Sequence, residues 1–306
     1  MPILVAERAA LEAHRQVVPA STWDRLVFLD RVDERALGGL DRASVAVLDP
    51  VARPRSLRFG EPTAADAEGA LAALDRGVAL VESGVASALV TAPINKEVIA
   101  RHADPSFVGH TDYLALQAGL EEYGRDYLMT FLAPDLRVAL LTVHCSLAEA
   151  VGRVRRQAIV EALRCLDRHL ALRLPDDRRR IVVAALNPHV GEGGLLGDED
   201  DREVRPAVEQ ARREGIDVHG PESADSLFAR TRQGEFDWVL ALYHDQGLIA
   251  VKTAAFGQAT NWTLGLPYLR TSVDHGTAYG IAGQGVADVG PMRAVVSRTL
   301  DLLGVA

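Results

Sequence analysis

The chain has 306 residues, 48% of them hydrophobic and 25% charged, enough to bury one large core or two medium ones. Its 33 Lys and Arg face 42 Asp and Glu, a formal net charge of −9, so no basic field exists to hold a nucleic-acid backbone. Two cysteines without metal-type spacing, no signal-peptide pattern and no long apolar span argue against a disulfide framework and a membrane anchor, and the expected location is the reducing cytoplasm.

Along the chain, short apolar runs alternate with helical stretches, the rhythm of strands joined by crossover helices in a largely parallel sheet, so the expected fold class is α/β. Residues 3–6 read as a strand and 8–16 as a helix; 64–83 form a long Ala-rich helix feeding a strand at 88–91. The loop after it, through Asn95 and Lys96, opens another helix. Gly109-His110-Thr111-Asp112 is either a helix start or a cluster of imidazole, hydroxyl and carboxylate for a ligand. Residues 138–143 lead into His144, and Ser146 to Glu149 has the form of a capping box that starts one long amphipathic helix to about residue 170. Cys145 beside His144 makes a poor nucleophile pair, because neighbours in an extended chain point to opposite faces. Arg178, Arg179 and Arg180 read as a solvated loop, and His14 and His169 as surface residues of helices.

A second apolar run, 181–186, leads into Asn187-Pro188-His189 and then a Gly-rich loop at 191–197 that lets backbone approach a ligand closely. That loop is not a dinucleotide fingerprint, because position 196 is leucine. A third run, 238–242, leads into Tyr243-His244-Asp245. Lys252 is either a surface lysine or a cation aimed at a site. Asn261 and Arg270 bracket an apolar segment, and the forked donors of Arg270 suit a carboxylate or a phosphate. Around His275, Gly276 and Thr277 the sequence is either a turn and helix cap or a set of donors that grips an adenosine.

Strand ends of a parallel sheet gather on one edge, where ligands bind. Three apolar runs that each deliver a histidine downstream place His144, His189 and His244 where they can share one ion, although each taken singly also reads as a hydrogen-bonded loop residue. Asp245 and Gln246 beside His244, and Asn187 and Glu192 beside His189, are candidates to orient the rings. Three neutral imidazoles leave coordination positions open, which suits Lewis-acid chemistry better than a closed structural site.

Taken together, GHTD at 109–112, LTVHCSL at 141–147, NPHVGEGG at 187–194, YHDQG at 243–247 and NWTLGLPYLRTSVDHGTA at 261–278 resemble the 4-hydroxythreonine-4-phosphate dehydrogenase family of pyridoxal phosphate biosynthesis, over residues 85 to 290 or so. The resemblance implies an isocitrate-dehydrogenase-like fold of two α/β/α domains with a cleft between them. The expected boundaries are 1–105 plus 272–306 for the first domain and 106–271 for the second, which carries the metal site and the dimer interface. It also implies a homodimer with an active site shared across the interface, a divalent metal (zinc, magnesium or cobalt), NAD or NADP, and a small anionic substrate. By motif, His144, His189 and His244 match the metal ligands. His110, Thr111, Lys252, Asn261 and Arg270 match substrate-binding positions, with Lys252 and His110 also taken as catalytic, and His275, Gly276 and Thr277 match a cofactor-binding segment.

The implied reaction is oxidation of a phosphorylated hydroxy acid, 4-phosphohydroxy-L-threonine first, to a 3-oxo acid that then loses carbon dioxide. Alternatives are 4-phospho-D-threonate or 4-phospho-erythronate, an aromatic cis-diol carboxylate, a catalytically impaired paralogue that still binds metal and a phospho-acid, and a metal-dependent hydrolase or aldolase using the same histidines. One departure stands out: relatives begin with a strand and a loop of the form GDPxGxGPE before the strand that here starts at Ile3. The expectation is a coding sequence that starts upstream of Met1, because the remaining site residues persist as a set.

Overall fold

The computed structural model describes residues 1–175 and 179–305, and the chain divides into two compact units. The first comprises Met1–Tyr113 and His275–Val289, and the second Leu114–Asp274 and Gly290–Ala306. These bounds differ from the expected ones at 106–113, which lies in the first unit, and at 272–274 and 290–306, which lie in the second.

In the first unit, β1 (Ile3–Val5), α1 (Arg8–Ala13), α2 (Ala20–Trp23), β2 (Leu26–Leu29), α3 (Glu34–Gly38) and β3 (Val45–Leu48) precede the long helix α4 (Ala64–Glu82), β4 (Ala88–Thr91) and α5 (Lys96–His102). Three strands form a parallel sheet in the order β1-β3-β2, with Ile3 opposite Ala46 and Leu26 opposite Val45. The central strand is the buried one: Ala46 and Val47 are closed to solvent. Thr63 and Asp66 start α4 with a reciprocal capping box. Asp66 also joins Glu7 in gripping Arg55, at 2.7 and 2.6 Å, and so ties the end of β1 to the start of α4. The boundary between the units falls inside α6 (His110–Gln117).

The second unit continues with β5 (Leu128–Leu132), β6 (Arg137–Leu140), α7 (Leu147–Arg153), α8 (Arg156–Arg173), β7 (Ile181–Ala184), α9 (Arg205–Arg213), β8 (Val218–Glu222), α10 (Ala224–Arg232), β9 (Trp238–Ala241), α11 (His244–Ala255), β10 (Thr260–Leu264), β11 (Leu269–Ser272) and α12 (Gly290–Leu302). Its strands run in the order β11-β10-β5-β6-β9-β7-β8. From β6 to β8 the neighbours are parallel, as expected from the alternating pattern; from β11 to β6 they are antiparallel. The departure has a simple cause: the connections between β5 and β6 and between β10 and β11 are four residues each, too short for a crossover and suited only to hairpins. Strands β6, β7 and β9 are buried along nearly their whole length, which is why they read as continuous apolar runs rather than alternating ones.

The single helix expected after Ser146 is two. Ser146 caps α7 by accepting from the Glu149 amide, but Val154, closed to solvent, adopts an extended conformation and breaks the helix. Helix α8 then restarts with the Arg156 amide donating to Glu203 Oε2 at 2.8 Å. At the C-terminus α12 buries Val295 and Thr299, and the Thr299 hydroxyl lies 2.7 Å from that of Thr271 on β11. That docking explains why the last helix joins the second unit.

Two smaller expectations need correction. Of the arginine run, Arg178 lies outside the described residues, while Arg180 is no solvated residue: its guanidinium binds both oxygens of Asp237 at 2.9 Å. His14 is half-buried, donating from Nδ1 to Ala10 O and edge-on to Phe59, and His169 is half-buried, with desolvation holding its imidazole below the usual range.

Candidate active site

The carboxyl ends of β6, β9 and β7 lie side by side, and two side chains fasten them together. The Thr142 hydroxyl donates to Leu242 O at 2.8 Å, joining the end of β6 to that of β9. Gln246 then bridges β9 and β7: its carbonyl accepts from the Leu242 amide at 2.7 Å and its amide donates to Ala185 O at 2.8 Å. Gln246 therefore holds strands rather than an imidazole. The histidines follow directly: His144 lies two residues past Thr142, and His244 lies two past Leu242, as the first residue of α11.

The rings of His144 and His244 face each other with centroids 5.9 Å apart. His244 Nδ1 lies 2.7 Å from Asp245 Oδ1, and His189 Nδ1 lies 2.8 Å from Glu192 Oε1. With the carboxylate receiving the Nδ1 proton, Nε2 of each ring keeps its lone pair outward, the carboxylate–imidazole arrangement of a metal ligand. Of the four neighbours expected to orient rings, Asp245 and Glu192 do so, while Asn187 instead donates to Glu199 Oε2 at 2.8 Å. That bond, first, holds the Glu199 carboxyl below its usual range.

His189 sits in an unusual turn. Residues 189 to 193 all have positive φ, at 50, 59, 78, 45 and 66°, so the chain makes a short left-handed coil. His189, Val190 and Glu192 carry a Cβ there, at a cost of about 1–3 kcal/mol each, and the branched Val190 is the least suited of the three. Only glycine fits at 191, because a Cβ would meet Gly197 O at 2.5 Å. Within one chain the expected trio is not assembled: among the described residues no group of three or more His, Cys, Asp or Glu side chains is placed to hold a metal ion. The structure pairs His144 with His244, and their borderline nitrogen donors, with Nε2 of His244 left open by Asp245, fit a borderline cation such as zinc or cobalt that still needs further ligands.

The other expected site residues fall in both units. In the second, Lys252 is half-buried on α11, with Nζ 3.3 Å from Asp274 O. Asn261 lies on β10, opposite Ser272, and its Oδ1 is buried without a hydrogen-bond partner among the described residues. Arg270 on β11 is closed to solvent and donates to Thr263 Oγ1 at 2.9 Å; burial pushes its guanidinium down to about 10. In the first unit His110 opens α6, so the quartet is a helix start, with Thr111 buried behind it. His275, Gly276 and Thr277 lie in an exposed or half-exposed bend, with His275 Nδ1 3.0 Å from Gly276 O, and the short 3-10 helix Tyr279–Ile281 that follows has Ala278 as its N-cap, with no side-chain cap. Cys165 is buried and its thiol pushed up to about 12 by desolvation, which leaves it inert.

The roles of four residues escaped the sequence reading. Thr142 and Gln246 act on backbone groups about 60 to 100 positions away, at a distance no local pattern reveals. Lys96 lies against Gly109, where a Cβ would come 3.1 Å from its Nζ, so a lysine adjoins the His110 motif. Asp225, at the start of α10, is held below the usual carboxylate range first by the Ser223 hydroxyl and, to a smaller extent, by the nearby His189.

These features define an α/β protein with paired histidines and carboxylates on the carboxyl edge of three parallel strands. Comparison with known proteins specifies the class. The profile of the family described as pyridoxal phosphate biosynthetic protein PdxA matches residues 1–298. A 4-hydroxythreonine-4-phosphate dehydrogenase from Beijerinckia indica is 42% identical over 256 residues, covering 84% of this chain and 72% of its own. A protein from Symbiobacterium thermophilum, provisionally named a D-threonate 4-phosphate dehydrogenase, is 42% identical over 260 residues, 85% of this chain and 76% of its own. The crystal structure of the 4-hydroxythreonine-4-phosphate dehydrogenase from Klebsiella pneumoniae superposes with a TM-score of 0.86 at 34% identity, covering 98% of this chain and 88% of that one.

The chain belongs to the PdxA family of pyridoxal phosphate biosynthesis and is a dehydrogenase. A nicotinamide cofactor and a small phosphorylated substrate follow from that membership. No described helix is long and apolar enough to cross a membrane.

Proposed function

We propose that the protein is a metal-dependent, NAD- or NADP-linked dehydrogenase that oxidises 4-phosphohydroxy-L-threonine to a 3-oxo acid, which then loses carbon dioxide. The observation that carries this reading is the edge of β6, β9 and β7, with His144 facing His244 and with His189 and His244 each held at Nδ1 by its own carboxylate. His144 and His244 of one chain would hold the ion, with His189 as a further ligand supplied when two copies assemble. A bound divalent cation would supply Lewis acidity toward the substrate hydroxyl and toward the negative charge left by decarboxylation.

The protein's own residues do the rest. Arg270 carries a fixed fork of donors that suits the phosphate or carboxylate of the substrate. Asn261 brings a buried acceptor suited to a substrate hydroxyl or amine. His110 and Lys252 hold or move the proton lost as hydride leaves for the nicotinamide. Thr111 binds substrate beside His110, and His275, Gly276 and Thr277 receive the adenosine half of the cofactor. We assign the protein to the cytoplasm.

The relative from Symbiobacterium favours a second substrate, 4-phospho-D-threonate. Nicotinamide absorbance with each phospho-acid, with zinc, magnesium or cobalt added, tests both. Turnover of 4-phosphohydroxy-L-threonine that stops on chelation is expected. Turnover of the threonate alone would replace the substrate assignment. Metal-dependent product formation without nicotinamide reduction would refute the dehydrogenase mechanism proposed here.

A further inference from the structure

We propose that Asp200 is a positioning residue that fixes the strained loop carrying His189, an inference that rests on the metal-site reading given above. Asp200 is closed to solvent, and both of its oxygens are committed: Oδ1 accepts from the Leu186 amide at 2.7 Å and Oδ2 from the Asn187 amide at 2.9 Å. These two amides are the last before Pro188, which has no N–H, and the left-handed coil begins one residue later. A short carboxylate that holds two successive amides fixes the direction in which the chain leaves β7, and hence where the His189 ring emerges.

Neighbouring contacts close the same loop. Glu199, adjacent to Asp200, accepts from the Asn187 side chain at 2.8 Å. Gly197 has φ of 119°, and a Cβ there would lie 2.6 Å from Glu199 Oε2 and 2.8 Å from Asn187 Nδ2. Gly191 is pressed against Gly197 O. The loop from 186 to 200 is thus clamped at its base by Asp200 and at its waist by two glycine contacts. Asp200 itself opens a short stretch of π-helix, Asp200–Val204, which packs against the coil that bears His189. Wide turns of this kind recur at functional sites, where they displace a side chain from the regular helical position. Left-handed residues persist only where their surroundings over-determine them, and the clamp supplies that determination.

Asp200→Asn keeps the size but replaces one acceptor by a donor facing an amide. Cobalt titration, read by its visible absorption, should show the variant binding about 10- to 100-fold more weakly, the usual loss when a support of a metal ligand is removed. The KM for nicotinamide should stay unchanged, because its proposed segment belongs to the other unit. Amide hydrogen exchange on the wild-type protein is the second measurement: Leu186 and Asn187 should be protected like the amides of β7, although they lie beyond the strand. Free exchange at these two amides would overturn the proposal even if the variant failed to fold. Equal cobalt affinity in variant and wild type, corrected for the folded fraction, would overturn it too while leaving the metal site standing. A wild-type protein that binds no cobalt would instead overturn the metal reading, and the role of Asp200 with it.

Discussion

Two carboxylates decide what the histidines can do. Asp245 and Glu192 each lie against an Nδ1, so with the proton on that nitrogen Nε2 is the atom that His244 and His189 have left for a ligand. His244→Ala should abolish cobalt binding while changing folding stability by no more than about 0.5 kcal/mol, since a half-exposed residue at the start of a helix makes few core contacts. A urea midpoint that collapses alongside metal binding would mean that the ring serves the fold. The histidines were legible because each ends a continuous apolar run, a pattern that survives in one sequence. Asp200 and Thr142 were not: both act on backbone amides or carbonyls, and a backbone partner leaves no trace in residue identity. The left-handed coil was hidden for a related reason, since His, Val and Glu have no preference for positive φ and only the tertiary clamp imposes it.

At the scale of elements, the site depends on strands being held in register at their ends. Gln246 bridges β9 and β7 with both ends of its amide, and Gln246→Ala leaves an amide and a carbonyl without partners. A loss of about 1–3 kcal/mol in urea unfolding is expected, and a loss below about 0.5 kcal/mol would show that water replaces the bridge. Helices α8 and α9 are joined by Arg164 and Glu214, at 2.7 Å through Nε. The Arg164 bond, first, lowers the Glu214 carboxyl from 4.5 to about 2. A depressed carboxyl stabilises the fold above its unfolded value, and the gain disappears as pH falls from 4.5 toward 2. Unfolding curves of Glu214→Gln and wild type should therefore differ at neutral pH and converge across that window; a gap independent of pH would remove the ion pair as its source. The parallel half of the sheet was visible in the sequence as βαβ rhythm. The hairpins were not, because β5 and β10 are buried on both sides and look like any core strand.

For the whole molecule, the second unit leaves large apolar side chains in water. Leu195 is 83% exposed and Phe256 84%, and Leu147 and Ile249 are exposed as well. Scattered singly these would need no account, but several on a unit that also holds an incomplete ligand set favour a second copy as the cover. Sedimentation should show a dimer, and Phe256→Glu with Ile249→Glu should weaken it together with metal-dependent turnover. A wild-type monomer with full activity would rule out a shared site. The C-terminal helix shows the limit of reading domains from one sequence: which sheet it covers depends on Thr271 and Thr299 meeting across 28 positions.

The central claim is that imidazoles 144, 189 and 244 bind one ion. A crystal grown with zinc and measured at its absorption edge tests it most directly. The expected result is a single anomalous peak about 2 Å from Nε2 of His244, with His144 of the same chain and a His189 from a second copy completing the set. Zinc bound elsewhere, with the rings of His144 and His244 turned away from any peak, would contradict it.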